Sequence, residues 1–297
     1  MATIIDGKKI SKIIKEEIKS DIDILIQAGI KPHLTVILVG DNPASHIYVS
    51  MKEKACKKVG ISSETIRLDK SVSESILLKK IDMLNKDNNV HGILVQLPLP
   101  SHINEAAVIE KISPDKDVDG FHPTNLGRLI TGSENTFIPA TPYGIVELLK
   151  RYNVKIEGKH AVILGRSNIV GKPLGFLLLR KTKTGNATVT YCHSRTSNLT
   201  SITKEADILI AAMGQAEFIK KNMVKKNAVV IDVGTNRVED SSKKRGYRLA
   251  GDVDFTQVSN IASMITPVPG GVGPMTIAML LKNTVYAAQK YSLKVGN

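Results

Sequence analysis

The chain has 297 residues, of which 42% are hydrophobic, a formal net charge of +13 at pH 7 and no tryptophan. That length suits two domains and the apolar share suffices for a core, which excludes a disordered or low-complexity protein. The positive charge is spread along the chain, as Lys8, Lys9, Lys12 and Lys15, then Lys52, Lys54, Lys57 and Lys58, then Lys220, Lys221, Lys225 and Lys226. Without a basic block or an aromatic platform it argues against nucleic acid as a partner, and for a solvated surface that attracts an anionic small ligand.

The N-terminus, MATIIDGKKISKIIKEE, lacks the apolar core of a secretory signal, and no apolar run is long enough to span a bilayer. Cys56 and Cys192 are far apart with no CxxC spacing, so neither a disulfide framework nor a zinc site is expected. A reducing, cytoplasmic setting without a membrane partner or a metal follows.

Residues 34–40, LTVILVG, are the first apolar run and read as a strand buried on both faces. A helix is expected from near His46, with Ser45 as its N-cap. On it Tyr48 and Lys52 lie side by side at i, i+4 and Cys56 continues the face. By itself Lys52 reads as one more solvated helix lysine. Residues 74–85, ESILLKKIDMLN, place Ile76, Leu77, Ile81 and Leu84 at helical spacing. HGILVQLPLP (91–100) is a second buried strand carrying Gln96 near its end, a polar group that must find a partner. Residues 113–142 carry Pro, Gly, Asp and Asn with little periodicity, and read as a long loop at the domain junction. Asp115, Asp117 and Asp119 lie in it, where aspartates commonly shape turns.

A helix over 143–153 opens the second half. Further buried strands are expected at HAVILG (160–165), TVTYC (188–192), ADILIAAMG (206–214) and AVVIDVG (228–234). Strands alternating with helices predict an α/β fold with a mostly parallel sheet. After the first of these strands, GRSNIVGKPLG places Gly165, Arg166, Ser167 and Gly171 between strand and helix. Glycines there let the backbone approach a pyrophosphate at a helix N-terminus, although the pattern is not GxGxxG and a plain tight turn would look alike. The next strand ends in His193, Ser194, Arg195 and Thr196, with no acid to hold a ribose hydroxyl. An arginine suits a 2′-phosphate, so NADP is expected over NAD, with Arg166 and Arg195 as unranked candidates. Gly214 and Thr235, at later strand ends, would line the nicotinamide half. ITPVPGGVG (265–273) supplies Pro269, Gly270 and Gly271, a turn that admits a flat ligand or simply returns the chain. The helix 274–291 follows with Pro274 in its first turn.

Read together, YVSMKEKACKKVGI, GILVQLPLP, DKDVDGFHPTNLGRL, PATPYGIVELL, VILGRSNIVGKPLGFLLL, CHSRT and ITPVPGGVGPMTIAMLL resemble the bifunctional methylenetetrahydrofolate dehydrogenase/methenyltetrahydrofolate cyclohydrolase family of the bacterial FolD type. The resemblance runs in order over nearly the whole chain. It implies a catalytic folate-binding domain of residues 1–120 with 274–297, a Rossmann-type NADP-binding domain of residues 140–270, and a cleft between them. It implies oxidation of 5,10-methylenetetrahydrofolate by NADP⁺, then hydrolysis of the 5,10-methenyl product to 10-formyltetrahydrofolate. The resemblance places Lys52 as the key group for ring opening, Gln96 as its tuner, Tyr48 against the folate and Asp119 on the pterin, though Asp117 fits the last role on spacing alone. Val95, Leu97, Pro269, Gly270, Gly271 and Pro274 become substrate-binding positions. A homodimer is implied. Ala140 stands where many relatives carry cysteine, and no chemistry is assigned to it.

Overall fold

The computed structural model describes residues 1–243 and 246–295. In chain order they form β1 (Thr3–Ile4), α1 (Gly7–Gln27), β2 (His33–Val39), α2 (Pro43–Val59), β3 (Ser62–Leu68), α3 (Glu74–Lys86) and β4 (Gly92–Val95). Then come α4 (Glu105–Lys111), α5 (Pro123–Ile130), α6 (Ala140–Arg151), β5 (His160–Leu164), α7 (Gly171–Leu179), β6 (Thr188–Cys192) and α8 (Leu199–Thr203). The rest are β7 (Ile208–Ala211), β8 (Val229–Asp232), β9 (Asn236–Glu239), β10 (Tyr247–Ala250), α9 (Phe255–Val258), β11 (Met264–Ile265) and α10 (Val272–Val295). By its contacts the chain divides into two units. The first holds Ile13–Ala140 and the chain from Ile277 onward; the second holds Met1–Lys12 and Thr141–Thr276.

The first unit has a parallel sheet in the order β3-β2-β4. Central β2 is buried from Leu34 to Val39, as its unbroken apolar run requires. Edge strand β3, SSETIRL, escaped the apolar reading because Glu64 and Arg67 are exposed and, among the described residues, only β2 pairs with it. Ile37, Val39, Ile93 and Val95 of the sheet pack with Leu77, Ile81 and Leu84 of α3 and Val108 of α4. Helix α2 starts earlier than expected. Asn42, not Ser45, is its cap: Asn42 Oδ1 accepts from the N–H of Ala44 (3.0 Å) and of Ser45 (3.1 Å), and Pro43 occupies the first turn, where no N–H is needed. Residues 113–142, expected as loop and junction, contain α5, and the boundary falls at their end, at Ala140. A proline start and a His122 cap gave that helix no Ser, Thr, Asp or Asn signal.

The second unit carries six strands in the order β1-β11-β8-β7-β5-β6, every pairing parallel. Strands β9 and β10 form a separate antiparallel pair. Residues 1–12, assigned by chain order to the folate domain, group here because β1 pairs with β11. The sheet order reverses at β5: the chain steps from β5 out to β6, then crosses to β7 on the other side. In open α/β sheets a ligand crevice forms at the carboxyl ends of such a pair.

Candidate active and cofactor sites

In the first unit, Gln96 leaves the carboxyl end of β4, its N–H still bonded to the Ile37 carbonyl at 2.9 Å. The strand stops there, short of residue 100, because prolines 98 and 100 cannot donate to a ladder. Helix α2 brings in Lys52, whose Nζ donates to Gln96 Oε1 at 3.0 Å. Gln96 in turn donates through Nε2 to the Leu97 carbonyl at 2.7 Å, which leaves Oε1 as the acceptor turned to the lysine. Burial lowers the pKa of Lys52, opposed by the charge of Asp119 and by Cys56. Tyr48, one turn earlier, is 46% exposed. Cys56, one turn later, is fully buried, and burial pushes its thiol up to about 12, so it stays protonated.

The two candidate aspartates part company. The segment before Asp119 runs beside β4, with the Ile93 N–H bonded to the Lys116 carbonyl at 2.8 Å. Asp117 is buried and shapes the next turn: Oδ1 accepts from Gly120 N (3.1 Å) and Phe121 N (3.2 Å), Oδ2 from His122 N and Asn125 Nδ2 (both 2.9 Å). Asp119 takes no part in that network. It lines a small cavity with Val95 and Leu97. Burial raises its carboxyl to about 6, Lys52 opposing and Asp117 adding. Asn283 of α10 anchors this segment by donating to the carbonyls of Val118 (2.8 Å) and Ile138 (2.9 Å).

In the second unit, Gly165 ends β5 at φ +126°, packed so that a Cβ would run into the Ala212 carbonyl after β7. Gly171 opens α7 where a Cβ would strike the Gly165 carbonyl. The β5 and β7 ends therefore meet through backbone alone, a cradle that any side chain would fill. Ser167 shapes its rim: Oγ accepts from Val170 N at 3.1 Å, and its carbonyl from Lys172 N at 3.1 Å. Arg166 is exposed beside it. After β6, His193 N donates to Thr196 Oγ1 (2.9 Å) and Arg195 N to His193 Nδ1 (3.2 Å), a turn that presents Ser194 and Arg195 to solvent. Gly214 (φ +70°) and exposed Thr235 follow β7 and β8. A dinucleotide fits this arrangement: a bare-backbone crevice at the sheet's switch point, a helix N-terminus, and two exposed guanidinium groups.

Pro269, Gly270 and Gly271 also lie in the second unit, as does Pro274, the third residue of α10. Gly270 and Gly271 are buried, and their turn is engaged by the start of α1, with Lys8 N donating to the Gly270 carbonyl at 3.0 Å. Sequence reasoning passed over Asp232 and Asp252, both buried. An acid closing the otherwise apolar AVVIDVG was the available signal. Among the described residues, no group of three or more His, Cys, Asp or Glu could hold a metal ion, and no helix is long and apolar enough to cross a membrane.

The comparisons with known proteins agree in outline. Residues 5–119 match the catalytic domain of tetrahydrofolate dehydrogenase/cyclohydrolase, and residues 139–292 its NAD(P)-binding domain. The bifunctional protein FolD of Prosthecochloris aestuarii is 58% identical, over 95% of this chain and 96% of its own. The crystal structure of the Campylobacter jejuni FolD dehydrogenase/cyclohydrolase superposes with a TM-score of 0.92 at 50% identity, covering 98% of this chain and 99% of that one. The Trypanosoma brucei FolD, solved with NADP cofactor and an inhibitor, gives a TM-score of 0.91 at 39% identity, covering 97% and 98%. With both domain models matched in order and near-full-length relatives far above any chance similarity, the chain belongs to the tetrahydrofolate dehydrogenase/cyclohydrolase family.

Proposed function

We propose an assignment of residues to the two reactions that family membership gives this chain: oxidation of 5,10-methylenetetrahydrofolate with NADP⁺, and hydrolysis of 5,10-methenyltetrahydrofolate to 10-formyltetrahydrofolate. The observation that carries it is the Lys52–Gln96 pair, a half-buried lysine with a lowered pKa held at 3.0 Å by an amide oxygen. A lysine that gives up its proton more readily than usual can take a proton from water and return it later, which a permanently charged one cannot. The methenyl substrate is a cation, so a neutral Lys52 also avoids repelling it. Gln96 supports this role by accepting one N–H of the lysine and so directing the nitrogen's remaining groups.

Asp119 accepts hydrogen bonds from the amino and N–H groups of the pterin, a role that Asp117 lacks the spare acceptors to fill. Tyr48 packs on the folate, and Val95, Leu97 and the Pro269–Gly271 turn with Pro274 complete the substrate contacts. Gly165, Ser167 and Gly171 hold the pyrophosphate, Arg166 and Arg195 with Ser194 hold the 2′-phosphate, and Gly214 and Thr235 border the nicotinamide. NADP⁺, when bound, accepts the hydride. The enzyme works as a cytoplasmic homodimer. Sedimentation equilibrium checks the assembly, with an expected mass twice the 32.3 kDa of the chain.

The test is Lys52→Met. Cyclohydrolase activity should fall by ~10²-fold or more, the contribution of a positioned acid–base group, in protein whose thermal unfolding stays cooperative. Full hydrolysis of added methenyltetrahydrofolate by the folded variant would remove Lys52 from the mechanism.

A further inference from the structure

The turns after β7 and β8 are tied together by two buried carboxylates acting in series. Asp232 closes β8, with its own N–H donating to Thr266 Oγ1 at 2.7 Å. Its Oδ1 accepts from Gly234 N (3.0 Å) and Asp252 N (2.9 Å), and its Oδ2 from Val253 N (2.9 Å). Asp252, thus held by its backbone, turns its own carboxylate to the loop after β7. Oδ2 accepts from Met213 N (2.7 Å) and Gly214 N (2.9 Å), and Oδ1 from Gln215 N (2.9 Å) and Asn236 Nδ2 (2.9 Å). The fit leaves no slack. A Cβ on Gly251 would run into the Asp232 carboxylate, and one on Gly234 into that of Asp252.

Two neighbouring buried carboxylates are costly to keep. Burial, with the charge of Asp252 adding, pushes the Asp232 carboxyl up to about 7. What the pair secures is the 213–215 turn, the stretch that follows Ala212; Ala212 itself is already held to β5 by its N–H donating to the Leu164 carbonyl at 2.8 Å. If that turn shifts, Gly214, placed at the nicotinamide border, moves with it.

We propose that Asp252 is a positioning residue for the dinucleotide, holding the 213–215 turn, and with it Gly214, in place on the β7 side of the crevice. The inference rests on the cofactor placement given under the proposed function. Asp252 itself touches no reacting atom. Asp252→Asn would replace one acceptor oxygen by an NH2 group facing N–H donors, losing two of the four bonds. Asn236→Ala removes only one of the four bonds to the Asp252 carboxylate, together with the 3.3 Å bond from Asn236 Nδ2 to the Ala250 carbonyl, at a partly exposed residue, and is the milder probe.

The experiment is titration calorimetry of NADP⁺ into wild type and the two variants, beside steady-state assays of both activities and hydrogen exchange of the wild type with and without NADP⁺. Asp252→Asn should weaken NADP⁺ binding ~10-fold or more, and Asn236→Ala ~3-fold. The KM for NADP⁺ should rise with them, while dehydrogenase kcat and hydrolysis of added methenyltetrahydrofolate stay within about twofold of wild type. Should Asp252→Asn fail to unfold cooperatively, Asn236→Ala decides alone. Wild-type NADP⁺ affinity in the folded variants, or an equal fall of both activities, would overturn the role of Asp252. Absence of NADP⁺-dependent protection at 165–171 in the wild type would instead overturn the cofactor placement, and the role with it. Protection there combined with unchanged variant affinity sinks the role of Asp252 alone.

Discussion

Asp119 and Lys52 lower each other's cost of carrying charge, but burial dominates both. The Asp119 carboxyl is raised to about 6. The folded protein therefore holds that proton more tightly than the unfolded chain, where an aspartate titrates near ~4. Its contribution to stability is complete below ~4 and is lost as the pH rises through about 6. Asp119→Asn, a mimic of the protonated form, should therefore gain stability relative to wild type between pH 4 and pH 7, by at most ~3 kcal/mol. Denaturant melts at several pH values check this, and a difference independent of pH would contradict the assignment. For Lys52 the sign is opposite. Its lowered pKa favours the neutral amine, so cyclohydrolase turnover should increase with pH through that titration and flatten above it. Gln96→Ala takes away the acceptor of the lysine N–H. We expect at least a ~10-fold loss of hydrolysis with dehydrogenase turnover less affected, measured by direct decay of methenyltetrahydrofolate.

At the scale of elements, each site is set by where a strand stops and a helix begins. Helix α2 carries Tyr48 and Lys52, and its start is fixed by the Asn42 cap. Asn42→Ala should cost about 1 kcal/mol and lower the melting temperature by a few degrees. An unchanged melt would mean that the helix is held by packing alone. Across the glycine crevice, Arg166 and Arg195 stand on different turns, one after β5 and one after β6. Arg195→Ala and Arg166→Ala, assayed with NADP⁺ and NAD⁺, rank them. The true 2′-phosphate ligand should lose ~10-fold or more of its preference for NADP⁺, whereas a solvated arginine changes neither. The irregular stretch 113–142 is the element least legible in advance. Its order comes from Asp117, whose two oxygens gather four donors that sit three to eight residues onward, and from Asn283, which reaches it from α10. No local pattern announces such long-range bonds.

At the scale of the molecule, the two units differ in how far they could be read. In the second unit β5 to β8 are short and follow apolar runs, and β5, β7 and β8 are buried, so their parallel pairing follows from the pattern, whereas β1, β11 and the polar antiparallel pair β9–β10 gave no such run. The first unit hides its edge strand behind exposed Glu64 and Arg67. It also keeps the chain after Ile277, while the first twelve residues belong to the other unit. Termini change partners in this way because pairing partners for β1 lie 261 residues away, in β11. A positive charge of +13 accords with anionic ligands, but its distribution over separate helices leaves no single basic face to read from the sequence.

The sequence by itself determined the α/β class, the alternation of buried strands and helices, the glycine loop after β5 and the lack of an acid after β6. These are local properties: period, turn chemistry and residue type act within a few positions. Motif resemblance added the reaction and the residues to look for. Only the tertiary structure decided which of Asp117 and Asp119 has oxygens to spare, that Lys52 meets Gln96, and that Asp232 and Asp252 hold the turns after β7 and β8. Those outcomes depend on burial and on hydrogen bonds between residues up to 44 positions apart, and such pairings exist only once the chain has folded.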